Sequence, residues 1–171
     1  VKGEIEFDHV SFAYPEAGEN VLTDISFKAK KGQTIAVIGS TGSGKSTLIN
    51  LIPRYYDVTK GSVKVDGVDV RDMTQKELRD KLGYVPQKGV LFSGTIDSNI
   101  RYGKPEITDA QVKEAAEVAQ ATEFIDTKPE KYKSPVSQGG TNVSGGQKQR
   151  LSIARAIAKD PEIFIFDDSF S

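Results

Sequence analysis

The chain has 171 residues, 37% of them hydrophobic, with 23 Lys+Arg against 24 Asp+Glu and a formal net charge of −1. That length and apolar content predict one folded unit with a substantial core, and the near-even charge balance excludes a broad basic field that would hold nucleic acid by its phosphates. The absence of cysteine excludes disulfides, thiolate zinc sites and cysteine nucleophiles together, and accords with a reducing compartment.

In chain order, apolar side chains first fall on alternate positions: Ile5 and Phe7, then Val10, Phe12 and Tyr14, and after a turn through Pro15-Glu16-Ala17-Gly18, Ile25, Phe27 and Ala29. Alternation puts one face of each run on a core, so the spacing predicts antiparallel strands. Lys31-Gly32 makes the next turn. The run Thr34-Ile35-Ala36-Val37-Ile38 has no alternation, which predicts a strand covered on both faces and the start of the core sheet.

Directly after it stands Gly39-Ser40-Thr41-Gly42-Ser43-Gly44-Lys45-Ser46-Thr47, followed by Leu48-Ile49-Asn50-Leu51-Ile52. Strand, glycine-rich turn and helix start fit the pattern G-x-x-x-x-G-K-S/T. Its glycines let the backbone curl with N–H groups turned inward, at a helix N-terminus where partial positive charge collects. Such a loop cradles phosphates. Lys45 reaches the β- and γ-phosphates as a compact charge, and the Ser46 hydroxyl takes a place on the Mg²⁺ that travels with the nucleotide.

Pro53 and the polar stretch to Gly61 end that helix, and two short alternating runs from Val63 to Val70 about Asp66-Gly67 predict a hairpin. Three later helices open with a capping box, at Thr74/Glu77, Thr108/Gln111 and Ser144/Gln147. The second carries Val112, Ala115, Ala116 and Ala119 at helical spacing, the third Leu151, Ala154, Ile157 and Ala158, so both are amphipathic. Gly83-Tyr84-Val85-Pro86-Gln87 reads as a short strand ending at proline, and Ile163-Phe164-Ile165-Phe166 as a buried strand running into Asp167-Asp168. The stretch from Phe124 to Asn142 has little periodicity and predicts a surface loop with a frayed helix end. No apolar run approaches the roughly 18 residues that span a bilayer, and Val1-Lys2-Gly3-Glu4 has no signal-peptide character, so this chain is not expected to enter a membrane itself.

A phosphate loop needs a carboxylate at the end of a neighbouring buried strand to hold Mg²⁺ through its water shell. Asp167 is the candidate; the lesser reading, taken alone, is an ordinary strand-end Asp capping a turn. Val143-Ser144-Gly145-Gly146-Gln147, followed by Lys148-Gln149-Arg150-Leu151, resembles the signature motif of ATP-binding cassette (ABC) proteins. With the phosphate loop, Gln87 and Asp167 in the same order, the resemblance covers essentially the whole chain. Two glycines in a helix's first turn cost helix stability unless a ligand must come close. The resemblance implies an α/β fold. Its parts are a P-loop core with a mostly parallel sheet and flanking helices (34–60, 83–90, 160–171), an antiparallel β part (1–33, 61–72) and a mainly helical signature region (91–159).

The resemblance further implies ATP and Mg²⁺ as cofactors and a head-to-tail dimer with a second nucleotide-binding domain. The signature Ser144, Gly145, Gly146 and Gln147 would close in trans over the nucleotide held by the partner's phosphate loop. Tyr14 matches the aromatic that stacks on adenine, although by alternation alone it is a plain strand residue. Gln87 matches the glutamine that reaches the metal and the attacking water and senses the transmembrane domain. Ser46, Gln87 and Asp167 are then the metal set, and Asp168, Gln87 and Lys45 the catalytic set. The segment from Gly94 to Gly103 looks like exporter-type cassettes, which implies a partner transmembrane domain and a place at the cytoplasmic face of the cell membrane.

Three departures qualify that picture. Asp168 stands where an active cassette usually has Glu, and its side chain is one methylene shorter. A site built on it is expected to bind ATP and turn it over slowly, as in the degenerate half of a heterodimeric exporter whose partner carries the Glu. Ser137-Gln138 replaces the Gly-Glu pair common before exporter signatures. The chain also stops at Ser169-Phe170-Ser171, before the family's D-loop and its γ-phosphate-contacting histidine, so it is expected to be a C-terminally truncated fragment with little or no hydrolysis of its own. The sole histidine, His9, lies in the first strand region and is read as structural. The alternatives are a soluble cassette ATPase acting on ribosomes or DNA, and a regulatory module that binds ATP without hydrolysing it. A P-loop kinase or GTPase leaves the Ser144–Gln147 signature unexplained.

Overall fold

The computed structural model describes residues 2–38 and 44–167, which fall into two compact units, 1–82 and 83–171. In the first unit, strands β1 (Ile5–Phe12), β2 (Leu22–Ala29), β3 (Lys60–Val65) and β4 (Val68–Asp69) form an antiparallel sheet in the order β2-β1-β3-β4. Alternate residues Ile5, Phe7, Val63 and Val65 are buried, as the pattern predicts. Phe7 pairs with Phe27 across the strands with the rings stacked at 4.6 Å, a contact that adds to the area they bury. The β3–β4 hairpin turns through Asp66 and Gly67, both at positive φ (55° and 81°), the conformation that Asp-Gly favours in a two-residue hairpin loop.

His9 sits where the register of β1 slips, at φ 47°, with Nδ1 2.7 Å from Asp24 Oδ1. The hydrogen bond to Asp24, with the carboxylate charges of Asp24 and Asp8, raises its pKa above the usual histidine value. The ring is exposed, so this is a surface pair of a strand bulge. Helices α1 (Lys45–Leu51) and α2 (Gln75–Asp80) complete the unit, and Leu51 and Leu78 are fully buried.

Residues 34–38, expected to be a two-face-covered strand, belong to no strand here. Ile35, Val37 and Ile38 are 47%, 39% and 94% exposed. An apolar run becomes a buried strand only when neighbours supply its ladder and both covering layers, and the sheet of the first unit, built around β1, gives it none.

The second unit begins within β5 (Leu82–Val85), which pairs with β8 (Ile163–Phe166). Expected to be buried throughout, β8 instead alternates: Ile163 and Ile165 are buried, Phe164 and Phe166 exposed. The two-stranded sheet is covered on one face, so period two reappears. Short strands β6 (Gly94–Thr95) and β7 (Pro135–Val136) pair antiparallel. Helices α3 (Ile96–Ile100), α4 (Asp109–Val118), α5 (Thr122–Thr127) and α6 (Gly145–Ala158) enclose a core that includes Ile96, Ile100, Val112, Ala115, Phe124, Leu151 and Ala154.

All three predicted capping boxes are present, with a fourth at Thr95/Ser98. The stretch 124–142 is more ordered than its weak periodicity suggested. It holds the end of α5, single 3₁₀ turns at Lys131–Lys133 and Gln138–Gly140, and β7. Among the described residues no helix is long and apolar enough to cross a membrane.

Candidate functional site

Of the residues proposed to hold nucleotide, Gly39, Ser40, Thr41, Gly42, Ser43 and Asp168 lie outside the described residues. The exit of the glycine-rich turn is described. Gly44 caps α1 at φ 94°, a left-handed conformation that disfavours a side chain. A Cβ there would also meet Leu22 Cδ2 at 3.1 Å and the Val21 carbonyl oxygen at 3.3 Å. From Gly44 the chain enters the helix at once, with Leu48 N–H donating to Gly44 O (2.9 Å). Among the described residues α1 has neither a side-chain cap nor an acidic residue in its first turn. The backbone N–H groups that open the helix stand beside the cationic Lys45 and the exposed Ser46, a donor set suited to an anion.

Tyr14 is part of the same unit. Its hydroxyl is hydrogen-bonded to Thr47 Oγ1 at 2.7 Å. Its ring stands edge-to-face against Phe12 (4.9 Å) and Tyr56 (5.2 Å). Tyr14 lies two residues beyond β1, outside the strand that alternation predicted, and is attached to the helix that leaves the glycine-rich turn.

In the second unit, Asp167 follows β8 immediately, and its N–H donates to Val85 O (3.0 Å), the last residue of β5. Gln87 lies two residues beyond Val85 and is exposed. The two strands thus deliver Asp167 and the Gln87 segment to one edge of their sheet. Among the described residues there is no cluster of three or more His, Cys, Asp or Glu able to hold a metal ion. Ser46 in the first unit and Gln87 and Asp167 in the second each offer a hard oxygen donor, the chemistry that Mg²⁺ uses together with substrate phosphates and water.

The signature begins α6. Ser144 Oγ accepts from Gln147 N–H (3.1 Å) and Gln147 Oε1 accepts from Ser144 N–H (3.2 Å), so both side chains are engaged with the backbone. Gly145 and Gly146 are exposed, and a Cβ built on either meets nothing within 4 Å. No acidic residue lies in the first turn of this 14-residue helix. Among the described residues nothing within 4 Å requires glycine at these two positions.

A polar node between the Gln87 segment and α6 escaped the sequence reading. A Cβ on Gly89 would fall 2.7 Å from the carbonyl carbon and oxygen of Lys148. Val90 N–H donates to Ser152 Oγ (3.2 Å), and Val90 O accepts from Arg155 Nη1 (2.9 Å). Arg155 also donates from Nε to Asn99 O (2.8 Å) and from Nη2 to Asn99 Oδ1 (3.1 Å), and lies near the stacked rings of Phe92 and Tyr102.

Burial pushes the Arg155 pKa below its ordinary value, and carbonyl oxygens and ring faces stand in for water around the charge. Asn99, only 1% exposed, uses its remaining bonding capacity on Phe92 N–H, Phe92 O and Thr95 O. The available signal was an arginine one residue from Ala154 on the apolar stripe of α6. Gly89→Ala is expected to force this backbone contact apart and to cost about 1–3 kcal/mol, the range of overpacking in a closely packed site. Thermal unfolding of the chain measures it, and an unchanged Tm would contradict the contact.

The ABC transporter family matches residues 22–171. Over the 171 residues the chain is 48% identical to "Putative multidrug export ATP-binding/permease protein YgaD" of Bacillus subtilis, covering 30% of that protein. A relative in Staphylococcus aureus with the same description is 47% identical over 170 residues, with 29% of its length covered. The solved structure of a bacterial Atm1-family ABC exporter with ATP bound superposes with a TM-score of 0.91 at 40% identity, over 97% of this chain and 29% of the other. The chain spans about three tenths of the length of these curated relatives.

Proposed function

The chain belongs to the ABC transporter family, and we propose that it is a Mg-ATP-binding domain that powers export across a membrane. The turn from Gly39 to Gly44 with Lys45, Ser46 and Thr47 holds the phosphates, and Tyr14 stacks on the base. Ser46, Gln87 and Asp167 hold Mg²⁺, which when bound neutralises phosphate charge. Lys45 adds a fixed positive charge at the transferred phosphate, and Asp168 orients water for attack, so that hydrolysis is phosphoryl transfer to water without a covalent intermediate.

Ser144, Gly145, Gly146 and Gln147 complete the site of a second nucleotide-binding domain in a head-to-tail dimer. That domain supplies the same elements to the nucleotide on this chain. A transmembrane domain, as the permease named in the relatives' descriptions suggests, holds the pair at the cytoplasmic face. With Asp168 in place of Glu, this chain's own site hydrolyses slowly, and the partner of a heterodimer carries the faster one.

The open first turn of α6 carries this reading. Gly145 and Gly146 each forgo about 0.5–1 kcal/mol of helix stability relative to alanine, yet have empty space where a Cβ would lie. The requirement for glycine comes from outside the chain, and a helix N-terminus with free N–H groups suits a phosphate. Gly146→Ala is expected to raise the Tm of the chain slightly and to lower ATPase of the assembled transporter at least about tenfold, as misplacement of a phosphate-binding group does. A variant with unchanged ATPase would count against the trans role.

A further inference from the structure

Tyr14 and the start of α1 are built as one piece, and two independent contacts show it. Gly44, at the exit of the loop, is packed against Val21 and Leu22 so closely that a Cβ would lie 3.1–3.3 Å from them. Leu22 opens β2 opposite the end of β1 and Val21 precedes it: Val21 N–H donates to Phe12 O (2.8 Å), and Leu22 pairs with Phe12. Two residues past Phe12, the Tyr14 hydroxyl is hydrogen-bonded to Thr47 Oγ1. Thr47 is 7% exposed, so its hydroxyl depends on a partner within the protein. Its β-branched side chain has few rotamers in a helix, and its direction follows closely from the helix backbone.

The Tyr14 ring has two torsions to lose. Phe12 and Tyr56 bound it edge-to-face, which restricts its tilt, and the Thr47 bond ties its far end to α1. An aromatic in the segment after a strand, otherwise free to sample several orientations, is held at a set position relative to Lys45 and Ser46.

We propose that Thr47 is a positioning residue for the nucleotide base: through its hydrogen bond to Tyr14 it fixes the base-stacking ring relative to Lys45 and Ser46 before nucleotide arrives. This rests on the reading of Tyr14 as the base-stacking residue and adds how that residue is aimed. Binding then meets a preorganised pair of subsites, base and phosphate, and forgoes the ordering cost of the ring. One lost hydrogen bond of this kind corresponds to about 3- to 10-fold in affinity.

The test is a double-mutant cycle on the 171-residue chain, with dissociation constants for Mg-ATP and for inorganic tripolyphosphate from isothermal titration. Tyr14→Phe, which keeps the ring and removes the hydroxyl, is expected to weaken Mg-ATP about 3- to 10-fold and to lower the ratio of Mg-ATP to tripolyphosphate affinity by a similar factor. In a Thr47→Val background the same change is expected to have no further effect, because the bond is already gone. In a Thr47→Ser background, which keeps a hydroxyl, the effect returns. Thr47→Ala serves as the second background if Thr47→Val lowers the Tm.

Wild-type Mg-ATP affinity in Tyr14→Phe would overturn the proposal, as would an equal loss in both backgrounds or an equal loss for tripolyphosphate. A wild-type chain that binds tripolyphosphate but shows no gain from the base would overturn the stacking role of Tyr14 and this proposal with it. A chain that binds neither ligand would overturn the nucleotide reading as well, and the wild type alone reveals that case.

Discussion

Lys45→Ala is expected to weaken Mg-ATP binding to this chain by roughly 30-fold or more, because truncating one member of a partly desolvated charge pair costs about 2–5 kcal/mol. Lys45 is the first residue of α1, half-buried, and follows a left-handed Gly44 that brings the backbone N–H groups of the helix start to the same place. Alanine propagates a helix at least as well as lysine, so the fold should survive the change. Loss of binding at an unchanged Tm identifies a ligand contact; affinity within a factor of about three of wild type would contradict it.

The second large effect concerns Asp168. Restoring the missing methylene, Asp168→Glu, is expected to raise ATP hydrolysis at this site of the assembled transporter by up to about 100-fold, the scale of effect that a catalytic group displaced by about 1 Å can have. Affinity for Mg-ATP should change little, since the cradle supplies the binding and the carboxylate acts on the water. Single-turnover hydrolysis with the partner's own site inactivated gives the rate at this site alone. No gain there would contradict the assignment of Asp168 as the weakened water-orienting residue.

What was legible in the sequence was what neighbours in the chain decide. The Asp66-Gly67 turn and the boxes at Thr74, Thr108 and Ser144 depend on residues two or three apart, and each formed as its local chemistry requires. The alternation of β1 and β2 was equally readable, because period two reports one buried face wherever the strand ends up. Burial of uninterrupted apolar runs was not, since it depends on what lies on both sides. Residues 34–38 and the alternating β8 show the limit.

The long-range polar contacts were beyond reach for a related reason. Arg155 finds Val90 and Asn99 across 65 and 56 residues, and Tyr14 finds Thr47 across 33. Each looks ordinary in its own segment. At the signature, the sequence noted two costly glycines, and the geometry added that no contact among the described residues demands them.

The most direct measurement is the titration of the wild-type chain with Mg-ATP by calorimetry. Saturable binding of one nucleotide per chain, abolished or greatly weakened in Lys45→Ala, is the predicted result. Absence of saturable binding by the folded wild-type chain, or binding indifferent to Lys45→Ala, would contradict a nucleotide site built on Gly39 to Thr47.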